Sequence, residues 1–412
     1  MKILHISDSD GGNQQAAGAQ LMLNRLHRQM IASGIDSTIL CARKSTDMDS
    51  SMEIKRSFPS KAIDALIGKI TIPLGLNELN NVSAFKIPRM QQFAEADLIH
   101  LHTMHSGFFA YYALPFISKK KPTVFTLHDM WAYTGHCTAS RDCEKWLSGC
   151  GACPYPEDYP PISRDNTRLE WRLKSRIYQR SKLTVVTVSP HQDNEVGRSM
   201  LGHLPRREIA HGIDTQIFRP SDKKHCRKTL GIPEQGKIIL FGATDLGRSG
   251  KGGDILVDAL NRLPPSAKTD LVLLTFGNGG DMLASMTDVP LVSLGYIDSQ
   301  SLPMVYSASD IFVFPSLKET FGLVLLESMA CGTPVVSFDV GAAPELVLSG
   351  QTGWLAKEQN ADELCLGITQ LLANDSLREQ MGKQGRKLVE SGFSLEHQAR
   401  QYVRLYEELL AQ

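Results

Sequence analysis

The sequence predicts an α/β fold built of two doubly wound parallel-sheet domains, and three observations support this prediction. Short apolar runs rich in β-branched residues alternate with helix-compatible stretches, which is typical of a parallel sheet covered by helices on both faces. The alternation pauses at 211–222 and then starts again, which indicates a hinge between two units. The length of 412 residues also allows two to three domains at about 150 residues each.

The individual elements follow from this pattern. In the first half, strands are predicted at 3–6, 38–40, 98–101, 123–127 and 184–188, and a helix with Leu21, Leu23, Leu26 and Met30 on one face follows the first strand. In the second half, strands are predicted at 237–242, 271–276, 292–294, 311–314 and 334–338, and helices at 323–330, 361–372 and 397–410. We therefore expect an N-terminal domain over 1–212, a C-terminal domain over 213–394, and a final helix at 395–412 that packs back on the first domain.

The overall charge and hydropathy exclude several classes of protein. The chain carries 44 basic and 44 acidic residues, so its formal net charge is zero. Nucleic-acid-binding proteins usually carry a basic excess, so we expect no nucleic acid partner. No apolar run approaches the roughly 20 residues of a membrane span, and the N-terminus lacks the apolar core of a signal peptide. These observations favour a cytoplasmic protein.

The stretch 54–90 differs from the rest in its charge. It contains Asp64 and Glu78 as its acidic residues, and its basic residues are Lys55, Arg56, Lys61, Lys69, Lys86 and Arg89. Its apolar residues recur with a helical period, so the segment fits a membrane surface at the inner face of the membrane or a site for an anionic substrate. Any surface helix also needs one apolar face, so a helix packed on the N-terminal domain is the simpler interpretation.

The most informative stretch, 309–334, is predicted to form a strand, a loop and a helix that ends at Gly332 before Pro334. Ligands bind beyond the carboxyl ends of parallel strands, so the loop lies where a ligand would bind. The amides that open the helix suit phosphate oxygens. They belong to Phe321, Gly322 and Leu323.

Two carboxylates, Glu319 and Glu327, bracket this turn. A carboxylate accepts hydrogen bonds from sugar hydroxyls but repels phosphate, so both suit the sugar parts of a ligand. The alternative is that Glu319 caps the helix and Glu327 is a solvated helix residue. The spacing alone leaves both interpretations open.

The segment E-T-F-G-L-V-L-L-E-S-M-A-C-G-T-P-V-V, which contains both carboxylates, resembles the signature of glycosyltransferase family 4. Further matches keep the order of the family along nearly the whole chain, at 8–12, 128–129, 211–220, 251–252 and 295–297, with His211 in place of the usual Asn. The resemblance implies a retaining, nucleotide-sugar-dependent enzyme with a GT-B fold of two facing Rossmann-like domains and a cleft between them. It also implies a saccharide or lipid-linked acceptor in polysaccharide or glycoconjugate biosynthesis.

The resemblance assigns the donor to the C-terminal domain. It implies that Glu327 accepts hydrogen bonds from the ribose, that Glu319 contacts the transferred sugar, and that the backbone near Ile297 pairs with the base. The amides of Phe321, Gly322 and Leu323 would hold phosphate and sugar. Gly11 and Gly12 would let the N-terminal loop approach the diphosphate.

A cation must stabilise the charge that develops on the leaving diphosphate, and Lys251 is the strongest candidate. The family usually supplies an Arg a few residues upstream, but Ala243 and Thr244 occupy that place here. Arg248 is the candidate replacement, and a solvated loop residue is the alternative for it.

His128 ends the strand at 123–127, and the resemblance implies that it contacts the donor sugar near the anomeric centre. Asp129 could hold the His128 ring or cap the following helix. Asp8, Asp10 or Asn13 could contact the acceptor, and the sequence does not distinguish among them.

The family reaction proceeds without a protein nucleophile, by front-side attack in which the leaving phosphate takes the proton of the acceptor. We expect no catalytic metal, because lysine and helix amides take that role. Asp8 and Asp10 form a literal D-x-D, but they precede Gly11 and Gly12 at a strand end, which is not a metal site in this family.

Other functions fit less well. The chain lacks G-x-G-x-x-G after its first strand, as a dehydrogenase needs, and Lys251 is not part of a P-loop. A nucleotide-sugar epimerase or sugar phosphorylase of the same fold is one alternative. A catalytically inactive, glycosyltransferase-like assembly subunit is another.

Half of the eight cysteines crowd into one insertion at 137–165 that is rich in Gly, Pro and Tyr. They are Cys137, Cys143, Cys150 and Cys153, and the last two form a C-x2-C pair with zinc-knuckle spacing. We expect a structural zinc ion, while another metal cluster, two disulfides and free thiols are alternatives. A reducing cytosol disfavours disulfides. Bacterial exopolysaccharide enzymes of the family resemble this stretch.

Overall fold

The computed structural model describes residues 1–12, 18–247, 250–357 and 359–412. The chain divides into two compact units, which are described separately. Unit 1 comprises Met1–Ala210 together with Gln398–Gln412, and unit 2 comprises His211–His397. Each unit contains one parallel sheet with helices around it, so the predicted α/β class is confirmed.

Unit 1 is built on a seven-stranded sheet with the order β3-β2-β1-β4-β5-β6-β7. The strands are β1 (Lys2–Ser9), β2 (Asp36–Arg43), β3 (Ser51–Glu53), β4 (Leu98–Leu101), β5 (Thr123–Thr126), β6 (Thr184–Thr187) and β7 (Arg206–Glu208). The helices are α1 (Gly18–Ala32), α2 (Phe58–Thr71), α3 (Gln91–Glu95), α4 (Leu114–Ser118), α5 (Thr167–Tyr178) and α6 (Pro190–Arg198). The central strands are buried on both faces, which explains why their sequences are continuous apolar runs rather than alternating ones.

Unit 2 is built on a six-stranded parallel sheet with the order β10-β9-β8-β11-β12-β13. The strands are β8 (Lys237–Asp245), β9 (Leu271–Asn278), β10 (Leu291–Ser293), β11 (Ile311–Phe314), β12 (Val335–Phe338) and β13 (Gly353–Ala356). The helices are α7 (Lys223–Leu230), α8 (Gly253–Asn261), α9 (Pro265–Lys268), α10 (Leu302–Ala308), α11 (Leu323–Ala330), α12 (Ala343–Leu346), α13 (Ala361–Ala373) and α14 (Asp375–Gly392). In both units β-strands alternate with helices, so the carboxyl ends of the strands meet at one edge.

The last helix, α15 (Leu395–Leu410), contributes the residues that complete unit 1. Ala399, Tyr402, Leu405 and Tyr406 pack into a core cluster with Ile3 of β1 and with residues of α1, β4, β5 and β6. Two tyrosine hydroxyls also reach the sheet: Tyr402 lies 2.8 Å from Thr126 Oγ1, and Tyr406 lies 2.6 Å from His100 Nδ1. The helix therefore joins unit 1 through apolar contacts and hydrogen bonds.

The described helices include none that is both long enough and apolar enough to cross a membrane.

Candidate functional site

In unit 2, the loop between β8 and α8 carries Lys251 at the carboxyl edge of the sheet. Gly252 follows with φ +72°, and a Cβ at this position would lie 1.9 Å from the carbonyl oxygen of Pro315. The amide of Leu317 donates to the Gly250 carbonyl at 2.9 Å. These contacts hold the Lys251 loop against the loop that follows β11.

Within these two loops, the Lys251 ammonium forms an ion pair with the Glu319 carboxylate. Ser316 also donates to Glu319, with Oγ 3.3 Å from Oε1. Both charged side chains are partly buried, and 27% of Lys251 and 18% of Glu319 is exposed. The structure thus brings together two predicted site residues that the sequence interpretation had assigned to different parts of the donor.

The glycine motif that follows Glu319 opens helix α11. Gly322 is the N-cap residue with φ +95°, a conformation that favours glycine. Phe321 turns inward, with 2% exposed, and its ring meets His211 edge to face at 5.0 Å. Its carbonyl accepts from Ala342 at 3.0 Å, so the loop after β12 packs on this turn. Leu323 is the first residue of α11, and the predicted amide trio therefore stands at a helix N-terminus.

Glu327 lies on α11 with only 6% of the residue exposed. The hydroxyl of Tyr306, which is itself fully buried, donates to Glu327 Oε2 at 3.0 Å. The alternative of a solvated helix residue is wrong for Glu327, because the side chain is buried and bonded. An ionised carboxylate has two oxygens with about four acceptor positions in all, so it can accept from more than one hydroxyl group.

Ile297 and Arg248 are the two remaining predicted donor residues of unit 2. Ile297 is half-buried after β10, in a loop where the Gly277 amide donates to the Gly295 carbonyl at 2.7 Å. Arg248 lies outside the described residues, so its proposed replacement of the family arginine stays a prediction.

In unit 1, His128 follows β5, and its Nε2 lies 3.0 Å from Nδ1 of His102. Burial lowers the pKa of His128 to about 4, so its ring is neutral at pH 7. Asp129 accepts from the Trp131 amide at 2.8 Å, at the first residue of the short 3-10 helix Trp131–Tyr133, whose N-cap residue is Met130. Its second oxygen lies 2.8 Å from His105 Nε2. Asp129 thus bonds the first amide of the following helix, and His105 is a partner that the sequence did not predict.

The His105–Asp129 pair perturbs both groups. Burial alone would disfavour both charges, but His105 holds the pKa of the Asp129 carboxyl below its usual range, and Asp129 raises the pKa of His105. His105 lies in the loop after β4 and was not singled out from the sequence. Its position after a central parallel strand is the signal that could have identified it.

The glycines of the N-terminal loop are required by local packing. Gly11 has φ +71°, and a Cβ there would lie 2.1 Å from the carbonyl oxygen of Gln20. A Cβ on Gly12 would lie 2.2 Å from Thr46 Cγ2. These contacts explain both glycines without a ligand, so their approach to a diphosphate stays a prediction. Asn13 lies outside the described residues.

The two carboxylates before these glycines are engaged with the protein. Asp8 accepts from Gln20 at 3.0 Å and pairs with Arg43 at 2.9 Å. Asp10 accepts five hydrogen bonds, from the amides and hydroxyls of Ser45 and Thr46 and from the Ser51 hydroxyl. Burial opposes ionisation of Asp10, but these bonds lower its pKa well below the usual range. Asp10 therefore fastens the loop after β2.

The four clustered cysteines lie half-buried in an irregular lobe whose one regular element, among the described residues, is the 3-10 helix Lys145–Leu147. None of these four described cysteines forms a disulfide. Burial raises the pKa of Cys137 to about 12 and that of Cys150 to about 11, and the thiols near one another add to this effect. His136 Nε2 lies 3.2 Å from Cys153 Sγ.

Among the described residues, His5, His100 and His102 form the one group of three or more potential metal ligands whose donor atoms all lie within 4.8 Å of one another. No three of the four sulfurs meet that distance.

Family models match most of the chain. The model described as "Glycosyltransferase Family 4" matches residues 16–217, and the model described as "Glycosyl transferases group 1" matches residues 222–388. The first region lies in unit 1 except for its last residues, 211–217, which belong to unit 2. The second region lies wholly in unit 2.

Curated relatives agree with these matches. A D-inositol 3-phosphate glycosyltransferase of Mycobacterium leprae is 35% identical over 40% of this chain, and the match spans 40% of that protein, less than half of its length. A protein of the same name from Saccharomonospora viridis is 26% identical over 97% of this chain and 91% of its own. The putative colanic acid biosynthesis glycosyl transferase WcaC of Escherichia coli is 28% identical over 76% of each chain.

Solved structures share the fold at low identity. Sucrose-phosphate synthase from Thermosynechococcus elongatus superposes with a TM-score of 0.72 at 23% identity, covering 100% of this chain and 99% of that one. HepE of Anabaena in complex with UDP-glucose has a TM-score of 0.67 at 19% identity, and the match covers 99% of this chain and 100% of the HepE chain. These likenesses confirm the predicted GT-B class of fold. The two family models, which match residues 16–217 and 222–388 in turn, show that the chain belongs to glycosyltransferase family 4.

Proposed function

We propose that this protein is a retaining glycosyltransferase that moves a sugar from a nucleoside diphosphate sugar to a hydroxyl of a saccharide or lipid-linked acceptor. The observation that carries the proposal is the Lys251–Glu319 pair, which directly precedes the N-terminus of α11. It places a cation, a carboxylate and helix amides at one strand edge, as a sugar diphosphate requires. The HepE structures with UDP-glucose and with UDP support this class of donor.

Each group has a defined task in the proposed donor site. Glu327 accepts from the ribose hydroxyls, the amides of α11 hold phosphate and sugar, and Glu319 contacts the sugar. The diphosphate competes with Glu319 for the Lys251 ammonium, so that donor binding frees the Glu319 carboxylate for a sugar hydroxyl.

In the proposed reaction the acceptor oxygen attacks the anomeric carbon from the face that the diphosphate leaves. The bond from the anomeric carbon to the phosphate oxygen breaks, and a phosphate oxygen takes the acceptor proton. Lys251 stabilises the charge that grows on the leaving group. His128 contacts the transferred sugar.

The first test is a screen of UDP-, GDP- and ADP-sugars for slow hydrolysis or transfer, with NMR of the product. We expect release of the nucleoside diphosphate with the anomeric configuration of the donor retained in the first-formed product. A first-formed product of the opposite anomeric configuration would overturn the retaining mechanism. A sugar epimer would favour an epimerase, sugar 1-phosphate from phosphate and a glycoside would favour a phosphorylase, and no turnover of any donor would favour an inactive subunit.

We further propose that helix α2 docks the protein on an anionic membrane surface. The helix packs on unit 1 through Ser60, Asp64 and Gly68, and Asp64 accepts from Ser83 Oγ at 2.8 Å. Its apolar residues point outward instead: Phe58 is 83% exposed, and Ile63, Leu66 and Ile70 are also exposed. Helix α2 therefore packs on the N-terminal unit, as the simpler interpretation expects, but through a small polar face, and its apolar residues stay exposed.

The charges around α2 suit anionic lipid. Asp64 and Glu78 are buried, whereas Lys55, Lys61 and Lys69 are exposed. An exposed apolar face flanked by lysines is typical of helices that lie in a membrane interface. Such contact would bring the site to a lipid-linked acceptor.

Sedimentation with anionic liposomes tests the docking of α2. We expect the wild-type protein to bind at low salt, and the double change Leu66→Ser and Ile70→Ser to reduce binding about tenfold or more, because each buried leucine-sized side chain contributes roughly 1.5–3 kcal/mol. Leu366→Ser, at a leucine exposed on α13, is the control and should bind like the wild type. Equal binding by all three proteins would contradict the proposal.

We also propose that Cys137, Cys143, Cys150 and Cys153 hold a structural zinc ion. Consecutive residues of the C-x2-C turn have left-handed backbone angles, with φ +53° at Cys150, +91° at Gly151 and +47° at Ala152. A left-handed backbone conformation at a residue other than glycine costs conformational free energy. Such strained residues are typical of functional sites. Binding would draw the four sulfurs closer together, and His136 would support Cys153 through its hydrogen bond.

Metal analysis of the purified protein tests this site. We expect about one equivalent of zinc per chain, as four thiolates bind one tetrahedral ion, with loss of the metal and of stability in Cys153→Ser. Cys365→Ser, at a half-buried cysteine of α13, should keep both. Substoichiometric metal with four titratable thiols would contradict the proposal.

The absence of a catalytic metal is a separate proposal, supported by the engaged carboxylates of Asp8 and Asp10. Activity should survive a short exposure to EDTA, measured before the structural ion can leave. A prompt loss that magnesium restores would show that a divalent ion takes part in transfer.

A further inference from the structure

A chain of hydrogen-bonded histidine rings leads from His128 into the buried face of the sheet in unit 1. His128 Nε2 lies 3.0 Å from His102 Nδ1, and His102 Nε2 lies 2.9 Å from His5 Nδ1. His5 lies on β1, His102 directly follows β4, and His128 follows β5. Because these strands are neighbours in the sheet, the three residues form one continuous row, here called the histidine chain.

The histidine chain is shielded from solvent and neutral at its two ends. His5 is 0% exposed and His102 is 3% exposed. Burial, with a smaller effect of His27, holds the pKa of His5 well below its usual range, and burial also lowers that of His128. Asp129, Asp8 and His105 are the titratable groups that influence His128 from the surrounding loops. A neutral imidazole carries one hydrogen, so one ring nitrogen donates and the other accepts.

This chemistry couples the two hydrogen bonds. When neutral, His102 donates from one nitrogen and accepts at the other, so both bonds must run in the same direction. Either His5 donates to His102 and His102 donates to His128, or both bonds are reversed. The tautomer of His128 is therefore tied to that of His5, two strands away.

The two ends of the histidine chain differ in their surroundings, and this difference determines the direction of both hydrogen bonds. Nε2 of His5 is buried and has no hydrogen-bond partner among the described residues. The reversed direction would put the His5 hydrogen on that nitrogen as a buried donor without an acceptor, which is rare in folded proteins. The forward direction puts the last hydrogen on Nδ1 of His128, which is also buried, but the His128 ring lines a cavity in which a ligand can accept that hydrogen, and the lining of this cavity does not include His5. The His5 hydrogen therefore belongs on Nδ1, and the histidine chain runs from His5 to His128.

We infer that His5 and His102 are positioning residues that hold His128 as a neutral ring with its hydrogen on Nδ1. His128 then offers its ligand a hydrogen-bond donor and not a base. The ligand class that fits is a hydroxyl oxygen of the transferred sugar, and this last point rests on the proposed function. The cavity beside His128 is lined by His102, His105, Asp129 and Trp131.

A metal ion is the competing occupant, because donor atoms of His5, His100 and His102 lie within 4.8 Å of one another. The ring nitrogens of His100 are both used, by the Tyr406 hydroxyl at 2.6 Å and by Thr126 Oγ1 at 2.7 Å. Those of His102 are both used within the histidine chain. Metal binding would break these bonds, so the geometry favours the proton-ordered chain.

NMR of the full chain labelled with 15N-histidine tests the inference without an activity assay. Long-range 1H–15N correlations report which ring nitrogen carries the hydrogen, and the loss of signals in His128→Gln assigns them. We expect Nδ1–H for His128 in the wild type. His102→Phe and His5→Phe should each shift the hydrogen of His128 partly or wholly to Nε2.

His27→Gln is the matched control. His27 is a buried histidine that bonds Ser37 and Ser50 outside the histidine chain, and its replacement should leave the His128 signals unchanged. An Nε2–H tautomer in the wild type would overturn the inference, even if neither phenylalanine variant folds. So would an unchanged tautomer in both variants, or a stoichiometric metal that is lost in His100→Phe. A protein that shows the Nδ1–H tautomer but transfers no sugar would defeat the proposed function and leave this inference intact.

Discussion

Lys251→Ala should lower turnover about 100- to 1,000-fold, the usual cost of removing one group that stabilises developing charge. The expected cause is that no ammonium then faces the leaving diphosphate. Initial rates with saturating donor measure the effect, and the melting temperature verifies that unit 2 is folded. The rate loss should exceed any loss in donor affinity, because the charge grows only in the transition state.

The matched control for this experiment is Lys268→Ala. Lys268 is a lysine of the same unit that contacts Asp288 at 3.5 Å, away from the Glu319 loop. Its replacement should leave the rate close to that of the wild type. Lys251→Arg keeps the charge and should retain more activity than Lys251→Ala. Wild-type turnover by Lys251→Ala would contradict the assignment of the donor site to this loop.

Glu327→Ala should raise the KM for the nucleotide sugar about 10- to 100-fold, because hydrogen bonds to a charged group contribute roughly 1.5–3 kcal/mol. The change removes the proposed ribose acceptor from a position with 6% exposure. Isothermal titration with the nucleoside diphosphate measures the same loss independently of turnover.

Two further variants separate binding from folding at this position. Glu327→Gln keeps the size of the side chain and an oxygen that can accept from Tyr306, so it should fold like the wild type and bind the donor with intermediate affinity. Glu379→Ala, at an exposed carboxylate of α14, is the control and should change neither property. Unchanged donor affinity in Glu327→Ala would rule out a ribose contact.

The apolar runs predicted the central strands of both sheets because a parallel strand buried on two faces needs consecutive apolar residues. The short edge strands β3, β7 and β13 were not predicted. β7 consists of Arg206, Arg207 and Glu208, which offer no apolar signal. An edge strand has one neighbour and can keep polar, solvated side chains, so backbone pairing defines it and residue type does not.

In the same way, residue spacing predicted which side chains share a helix face but not which face is inside. The apolar period of α2 was correct, yet the helix buries Asp64 and exposes Leu66. Similarly, the motifs predicted Lys251 and Glu319 separately. Their pairing joins residues far apart in sequence and depends on the fit of two loops, which only the folded chain defines.

The packing of α15 on unit 1 has a consequence for synthesis of the protein. The residues that complete the first sheet, Tyr402 and Tyr406, are separated from β5 by the whole of unit 2. As the ribosome makes the chain from its N-terminus, unit 2 emerges before the helix that covers His100 and Thr126. Unit 1, which is translated first, therefore lacks part of its core until the last residues of the chain emerge, after the whole of unit 2 has been made.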